Sequence, residues 1–237
     1  MSFSKESSQN RYAEDRDSSH RQSGSSESTI EIDMPPTGSS KIFNVYRTTS
    51  YTNWTVTLPD KTPLYYIRTS MFRPGRPEIT MHAGGYRDGP IVGVSNFVKF
   101  SSGSKLGLGD PANPLNMSWE DLTKESSMDH SLYRLDFTFR SHDANEPQRR
   151  SFRWKRTHSV GVKSSKPSKF GLMNFKLVDE ATGELLAVFA NNGLKSFKKQ
   201  GKFQIHKDYG QDFDAMIILS GMTLLERTCR RNAARSG

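Results

Sequence analysis

Cysteine is almost absent from this sequence, which holds a single one, Cys229, among 237 residues. A disulfide within the chain is therefore excluded, and the first residues also lack the basic segment and apolar stretch of a secretory signal. Both absences are typical of proteins kept in a reducing compartment. We expect an intracellular protein, whether in the cytoplasm, in the nucleus or at the surface of a membrane.

Motifs for catalysis and metal binding are also missing. The chain has no Gly-x-Ser-x-Gly nucleophile motif and no His-Glu-x-x-His zinc motif, and its six histidines share no metal-ligand spacing. The glycines at 107 and 109 precede Asp-Pro rather than a helix, so they do not predict a phosphate-binding loop. We expect a protein that is not an enzyme and that uses no cofactor or metal.

Acidic residues become scarce beyond the first 40 positions. Residues 1–40 hold four of the 34 basic and seven of the 25 acidic side chains, which leaves 30 basic against 18 acidic in residues 41–237. The resulting net charge of +12 favours anionic partners, namely phospholipid head groups, nucleic acid or acidic protein. Residues 1–40 are rich in serine and charge with few large apolar side chains, so we expect a disordered tail before one domain at 41–237.

Long apolar runs are rare, and from Lys41 onward apolar residues mostly alternate with polar ones. The segments 54–58 (WTVTL) and 135–140 (LDFTFR) show this period of two, which is typical of antiparallel strands with one buried face. Turn residues predict a hairpin at Asp179–Glu184 and long loops at 101–116, 141–148 and 163–169. The pattern predicts ten strands, at 42–47, 54–58, 64–71, 78–82, 91–100, 135–140, 152–155, 174–178, 185–190 and 203–206.

One apolar segment breaks the alternation, at residues 212–229 (DFDAMIILSGMTLLERTC). Wound as a helix, its large side chains cover every side, which predicts a helix that is buried all round or lies in a membrane. Asp212 and Asp214 suit its start through capping and the helix dipole, and the arginines that follow suit its end.

Length argues against a membrane span for this helix. The uncharged run from Ala215 to Leu225 covers about 17 Å, whereas the hydrocarbon core of a bilayer is about 30 Å thick. A helix that must be covered on all sides fits inside a closed sheet, and barrels of about eleven strands can enclose one. We therefore expect a buried central helix and no transmembrane span.

Three motifs in this order resemble the tubby C-terminal-like superfamily, which includes tubby proteins, plant LURP-one-related proteins and phospholipid scramblases. They are FKLVD at 175–179, TGELLA at 182–187, and DFD at 212–214 leading into the apolar helix. The pattern extends over residues 41–231 and is most like uncharacterised fungal members. The resemblance implies a mainly β fold, a closed antiparallel barrel of about twelve strands around a hydrophobic central helix. It also implies that a basic face binds phosphoinositide head groups, as in tubby proteins.

Scramblases are similar in having an acidic segment just before the final helix, which raises calcium binding as an alternative role for Asp208, Asp212 and Asp214. These aspartates are too few for a complete oxygen shell, and the segment lacks an EF-hand glycine and glutamate at the required offsets. Helix capping and turn formation are the better interpretation.

Candidate ligand-binding residues occur in two basic groups. Eight cations lie between Arg149 and Lys169 with no acid among them, and further lysines follow the predicted strand at 185–190. On a strand, Arg153 and Lys155 would point outward, away from Phe152 and Trp154. A solvated strand face without a ligand is the alternative. Local charge predicts that lipid head groups contact Arg149, Arg150, Arg153, Lys155, Arg156, Lys195, Lys198 and Lys199.

Two other functions stay open at this point. Nucleic-acid binding fits the charge, but the aromatic residues among the cations, Phe152 and Trp154, are predicted to point inward, away from stacking with bases. A protein-interaction adaptor without a lipid ligand would use the tail or the long loops, and the sequence neither supports nor opposes it.

Overall fold

The computed structural model describes residues 40–49, 52–71, 75–125, 132–140, 146–162, 173–192 and 199–237. The predicted disordered tail lies almost wholly outside these residues, as do the predicted loop at 163–169 and most of the one at 141–148. The described elements are β1 (Lys41–Arg47), β2 (Trp54–Thr57), β3 (Pro63–Thr69), β4 (Ile79–Ala83), β5 (Ile91–Phe97), β6 (Ser104–Leu108), β7 (Ser118–Lys124), β8 (Leu132–Phe139), β9 (Gln148–Arg156), β10 (Phe175–Asp179), β11 (Leu185–Asn191), β12 (Lys199–Ile205) and helix α1 (Gln211–Ser236).

The twelve strands form one closed antiparallel barrel. Each strand pairs with its neighbours in sequence, and β1 pairs with β12 to close the sheet. Because successive strands run in opposite directions, connections after odd-numbered strands lie at the end of the barrel where α1 ends. We call this the upper end, and the end where α1 begins the lower end. The predicted fold, a closed barrel around a hydrophobic C-terminal helix, is confirmed.

All ten predicted strands are present, but the prediction of a long loop at 101–116 was wrong because it contains β6, and β7 was also missed. Strand β6 has the sequence SKLGL, whose glycine reads as part of a loop. A Cβ at Gly107 would lie 2.4 Å from Met117 Cε and 3.0 Å from the Trp119 ring. A larger residue here would therefore displace the Met117 and Trp119 side chains, a contact that local sequence does not show.

Helix α1 fills the barrel. Eight of its large side chains are almost completely buried: Phe213, Met216, Ile217, Ile218, Leu219, Met222, Leu224 and Leu225. Glycines permit the close approach, since a Cβ at Gly221 would lie 2.5 Å from the Phe203 ring. The Trp154 indole donates a hydrogen bond to Ser220 Oγ at 3.0 Å. The all-round burial predicted for this helix is therefore correct.

The ends of α1 differ from the predicted ones. The helix continues to Ser236, beyond the predicted end at residue 229. Gly210 occupies the N-cap position with a φ of +100°, and no side chain caps the helix, so the predicted capping by aspartate was wrong. Asp212 and Asp214 do lie in the first turn, where a negative charge favours the helix dipole. No helix in the described ranges combines the length and the apolar character needed to span a membrane.

Candidate anion-binding site

Two arginines of α1 hold the upper end of the barrel together. Arg227 and Arg230 stack on the Phe97 ring, at 4.2 Å and 4.8 Å from its centroid. The Arg227 side chain donates to Ser104 Oγ at 2.9 Å and to the Gly103 carbonyl, while Arg230 donates to the Ser70 carbonyl at 3.1 Å. Burial lowers the pKa of Arg227. These contacts tie the connections after β3 and β5 to the central helix.

A groove on the outer surface near this end is lined by three arginines, Arg68, Arg76 and Arg87, and has a volume of about 370 Å³. Arg68 lies on β3, opposite Thr80 of β4, and Arg76 lies in the connection between these strands. Arg87 lies in the connection between β4 and β5 and also lines the groove. The remaining lining residues of this arginine groove are Thr52, Asn53, Thr69, Ser70 and Met71.

The wall of the arginine groove is held in place by hydrogen bonds. The Thr69 amide donates to Asn53 Oδ1 at 2.9 Å, and the Thr69 hydroxyl donates to the Thr52 carbonyl at 2.6 Å. His82 Nδ1 donates to the Gly89 carbonyl at 2.8 Å and so fastens the hairpin that carries Arg87. The arginines therefore extend from a braced surface.

The charge in the groove is not compensated by the residues that line it. No carboxylate is among the described residues that line it. Within the described ranges, Arg68, Arg76 and Arg87 form no ion pair with an acidic side chain. Each guanidinium carries five N–H donors in a planar array that matches the oxygen atoms of a phosphate or carboxylate. The arrangement is suited to binding a multiply charged anion.

The predicted basic residues of β9 are, in contrast, largely paired with acids from other elements. Arg149 donates to both carboxylate oxygens of Glu120, each at 2.8 Å. Arg153 pairs with Glu125 at 3.1 Å and with Glu180 at 2.9 Å. These partners come from β7, from the residue that follows it, and from the β10–β11 turn, so the uninterrupted positive run in the sequence is interrupted in space.

Arg150 also has a counter-ion. It pairs with Asp179 at 2.6 Å and lies over the Tyr209 ring, 5.7 Å from the centroid. Lys155 lies on the outer face, opposite Leu132 of β8 and Lys176 of β10. Phe152 and Trp154 are completely buried, so neither is available to stack with a nucleic-acid base.

The second predicted group does not adjoin the first among the described strands. Lys199 lies on β12, which β10 and β11 separate from β9. Its ammonium group is 5.6 Å from the centroid of the Tyr46 ring, and burial lowers the pKa of Lys199. Arg156 pairs with Phe175 in the ladder between β9 and β10. Lys195 and Lys198 lie outside the described residues. Lipid binding by these residues stays a prediction.

Sequence reasoning missed the arginine groove because its cations are spread along 20 residues with Glu78 between them. The residues just before Arg76, RPG at 73–75, are typical of a turn and do not by themselves predict a binding site. The groove brings together Arg68 of β3, Arg76 of the β3–β4 connection and Arg87 of the β4–β5 connection. No charge run in the sequence marks it.

Acidic side chains at the lower end are engaged by one lysine. Lys41 pairs with Asp208 and with Asp214, each at 2.7 Å. Burial opposes protonation of Lys41, but the hydrogen bonds to both aspartates raise its pKa. In the part of the chain that the structure describes, no group of three or more His, Cys, Asp or Glu residues is placed to hold a metal ion.

A pH-dependent stability is expected from His206, which follows β12. Burial lowers the pKa of His206, and its Nε2 has no hydrogen-bond partner among the described residues. The unfolded chain then binds a proton more readily than the folded one between the lowered pKa and about 6.5. Stability should therefore fall as the pH drops from 7 to 5.

Urea unfolding at pH 5, 6 and 7 measures this effect. The variant His206→Gln should lose less stability on acidification than the native chain, whereas the exposed His158→Gln should retain the native dependence. If the free energy of unfolding falls equally with pH in the native protein and in His206→Gln, His206 does not cause the pH dependence.

Among solved structures, the chain is similar to the X-ray structure of the Arabidopsis thaliana protein AT5G01750, with 12% sequence identity and a TM-score of 0.45. The similarity covers 76% of this chain and 88% of that chain. No family model matches the sequence. No curated protein matches it either.

Proposed function

We propose that this protein is a non-enzymatic, tubby-like binding domain that recognises anionic phospholipid head groups at a membrane surface. The observation that carries the proposal is the arginine groove, in which three guanidinium groups line one cavity whose described lining residues include no carboxylate. The tubby-like assignment is supported by the closed barrel around its central helix and by the motifs at 175–179, 182–187 and 212–214.

Phosphate is the chemical group that this groove fits best. Like charges in one groove repel one another, and a bound phosphate relieves that repulsion while accepting hydrogen bonds in pairs from each guanidinium. A phosphoinositide head group presents several phosphates on one ring, so it can engage Arg68, Arg76 and Arg87 together. The predicted basic residues of β9 are weaker candidates because Arg149, Arg150 and Arg153 already have carboxylate partners.

The groove arginines should dominate binding to anionic vesicles. Each cation near such a surface contributes about 1 kcal/mol, so removal of three should weaken binding by roughly 100-fold. We expect this loss for the triple variant Arg68→Gln, Arg76→Gln, Arg87→Gln in flotation with phosphatidylcholine vesicles that contain phosphoinositide. Vesicles of phosphatidylcholine alone should bind neither protein.

The matched control removes the same charge elsewhere on the barrel, with Lys105→Gln, Arg140→Gln and Lys207→Gln. Equal losses for the two triple variants would show that only net charge matters, and the groove would not be a site. If the double variant Arg153→Glu, Lys155→Glu loses vesicle binding while the groove variant binds normally, the predicted basic residues of β9 form the site instead.

Soluble competitors separate a membrane lipid from a free phosphate compound. An inositol polyphosphate that displaces vesicles only from the native groove would show recognition of the head group itself. If it binds the groove while vesicles with phosphoinositide are not bound, the ligand is a soluble phosphate and the membrane proposal is wrong. RNA retention that exceeds vesicle binding and depends on the same arginines would assign the groove to nucleic acid.

A further inference from the structure

The connection between β5 and β6 carries an aromatic side chain that packs against none of the described residues. Phe100 is completely exposed, at 109% of the reference area, and Val98 beside it is 41% exposed. Phe100 also has a φ of +56°, in the left-handed region that disfavours bulky residues other than glycine. Neither packing nor turn geometry explains a phenylalanine here. Strained and exposed residues of this kind are typical of binding sites.

The base of this hairpin tip is held rigidly. The Val98 amide donates to the Gly103 carbonyl at 3.1 Å, and the Gly103 amide donates to Ser101 Oγ at 3.0 Å. Arg227 of the central helix donates to Ser104 Oγ and to the Gly103 carbonyl from beneath. The tip therefore projects from a fixed base at the upper end of the barrel, and little ordering is needed before Phe100 can meet a partner.

The hairpin tip adjoins the arginine groove. A second cavity, of about 880 Å³, is lined by Val98, Lys99, Arg76 and Glu78 among other residues, and the Glu78 carboxylate accepts a hydrogen bond from the Phe97 amide at 2.8 Å. Arg76 also lines the arginine groove, so the two cavities meet at this side chain. A surface that contacts the tip is thereby brought next to the groove cations.

We propose that Phe100 and Val98 insert into the interfacial layer of a bilayer while Lys99 and Arg76 contact anionic head groups. The inference rests on the proposed function and adds an apolar contact that the groove itself does not supply. Apolar side chains flanked by cations are what an anionic membrane interface binds. A stable protein interface buries about 1,200 Å² or more, which two side chains on a narrow tip do not provide. A bilayer accepts a single inserted side chain.

Vesicle partitioning tests the insertion through Phe100→Ala. Loss of one buried aromatic ring should weaken partitioning by about tenfold. The remaining binding should be more sensitive to salt, because only screened charge contacts are left. The matched control is Leu115→Ala, another fully exposed apolar residue, at 100%, in the β6–β7 connection of the lower end. Its partitioning should equal that of the native protein.

The depth to which residue 100 enters the bilayer is measured by tryptophan fluorescence of Phe100→Trp. The vesicles carry bromine on their acyl chains, which quenches an inserted tryptophan. Trp54 and Trp154 are buried, but Trp119 is 46% exposed and lines the cavity beside the tip, so both proteins carry Trp119→Phe. In that background, Phe100→Trp should show additional quenching relative to the protein that retains Phe100. Insertion is wrong if Phe100→Ala partitions normally and Phe100→Trp gains no quenching while native binding still depends on the groove arginines. If the native protein does not bind anionic vesicles at all, the proposed function fails and the insertion fails with it.

Discussion

Replacing Phe213 with alanine should lower the free energy of unfolding by about 3–5 kcal/mol. Phe213 lies near the start of α1 and is completely buried. Its ring is 5.1 Å from that of Phe139, 5.8 Å from that of Phe152 and 5.0 Å from that of Tyr209, measured between centroids. The strands hold two of these neighbours in place, so the cavity left by alanine cannot close. The expected loss is a large share of the total stability of a typical domain, about 5–15 kcal/mol.

The variant Phe100→Ala makes the same chemical change on the surface and is the matched control. Because Phe100 packs against none of the residues that the structure describes, this variant should unfold at the native urea concentration or slightly above it. The buried Trp54 and Trp154 report unfolding by fluorescence for both variants. Similar midpoints for Phe213→Ala and the native protein would mean that α1 is not the core of the barrel.

Replacing Asp179 with alanine should lower the free energy of unfolding by about 3 kcal/mol, because breaking a buried ion pair typically costs about 3–5 kcal/mol. We expect the lower value, since the side chain of Arg150 is 26% exposed although that of Asp179 is only 1% exposed. Asp179 Oδ1 also accepts hydrogen bonds from the amides of Ala181 and Thr182, both at 2.9 Å. Alanine therefore removes a counter-ion and loosens the β10–β11 turn together.

Urea unfolding measures this loss against Asp121→Ala, which breaks an exposed pair. Asp121 contacts Lys105 at 2.9 Å with side chains 64% and 59% exposed, so its removal should cost about 1 kcal/mol or less. The double variant Asp179→Ala, Arg150→Ala should recover part of the loss, because it no longer leaves an unpaired cation. If Asp179→Ala is as stable as Asp121→Ala, the Arg150 pair does not support the fold.

The ion pair between Arg150 and Asp179 also affects the interpretation of vesicle-binding experiments on Arg150 variants. A substitution at Arg150 removes the partner of a buried carboxylate, so it should destabilise the barrel whether or not the residue meets lipid. The folded fraction must therefore be measured before lost vesicle binding is assigned to Arg150. Groove variants are free of this complication, because Arg68 and Arg87 extend from the outer surface without an acidic partner in the described part of the chain.

The architecture could be predicted because it depends on patterns that act locally. Alternation along segments such as 135–140 reports one buried face, and the all-round apolar character of 213–225 reports a helix that needs cover on every side. Strand β6 could not be predicted from such local patterns. A side chain at Gly107 would crowd Met117 and Trp119, which follow about ten residues later. This crowding becomes visible only when the two strands are paired.

The sequence by itself determined that a polar, basic chain would close a sheet around one buried helix, since burial of apolar surface depends on composition and period. Only the tertiary structure decided where the free positive charge lies. Electrostatic energy depends on distance in space, and strand register places Glu120, Glu125 and Asp179 beside the arginines of β9. The tertiary structure also gathers Arg68, Arg76 and Arg87 in one groove, whose described lining residues include no carboxylate.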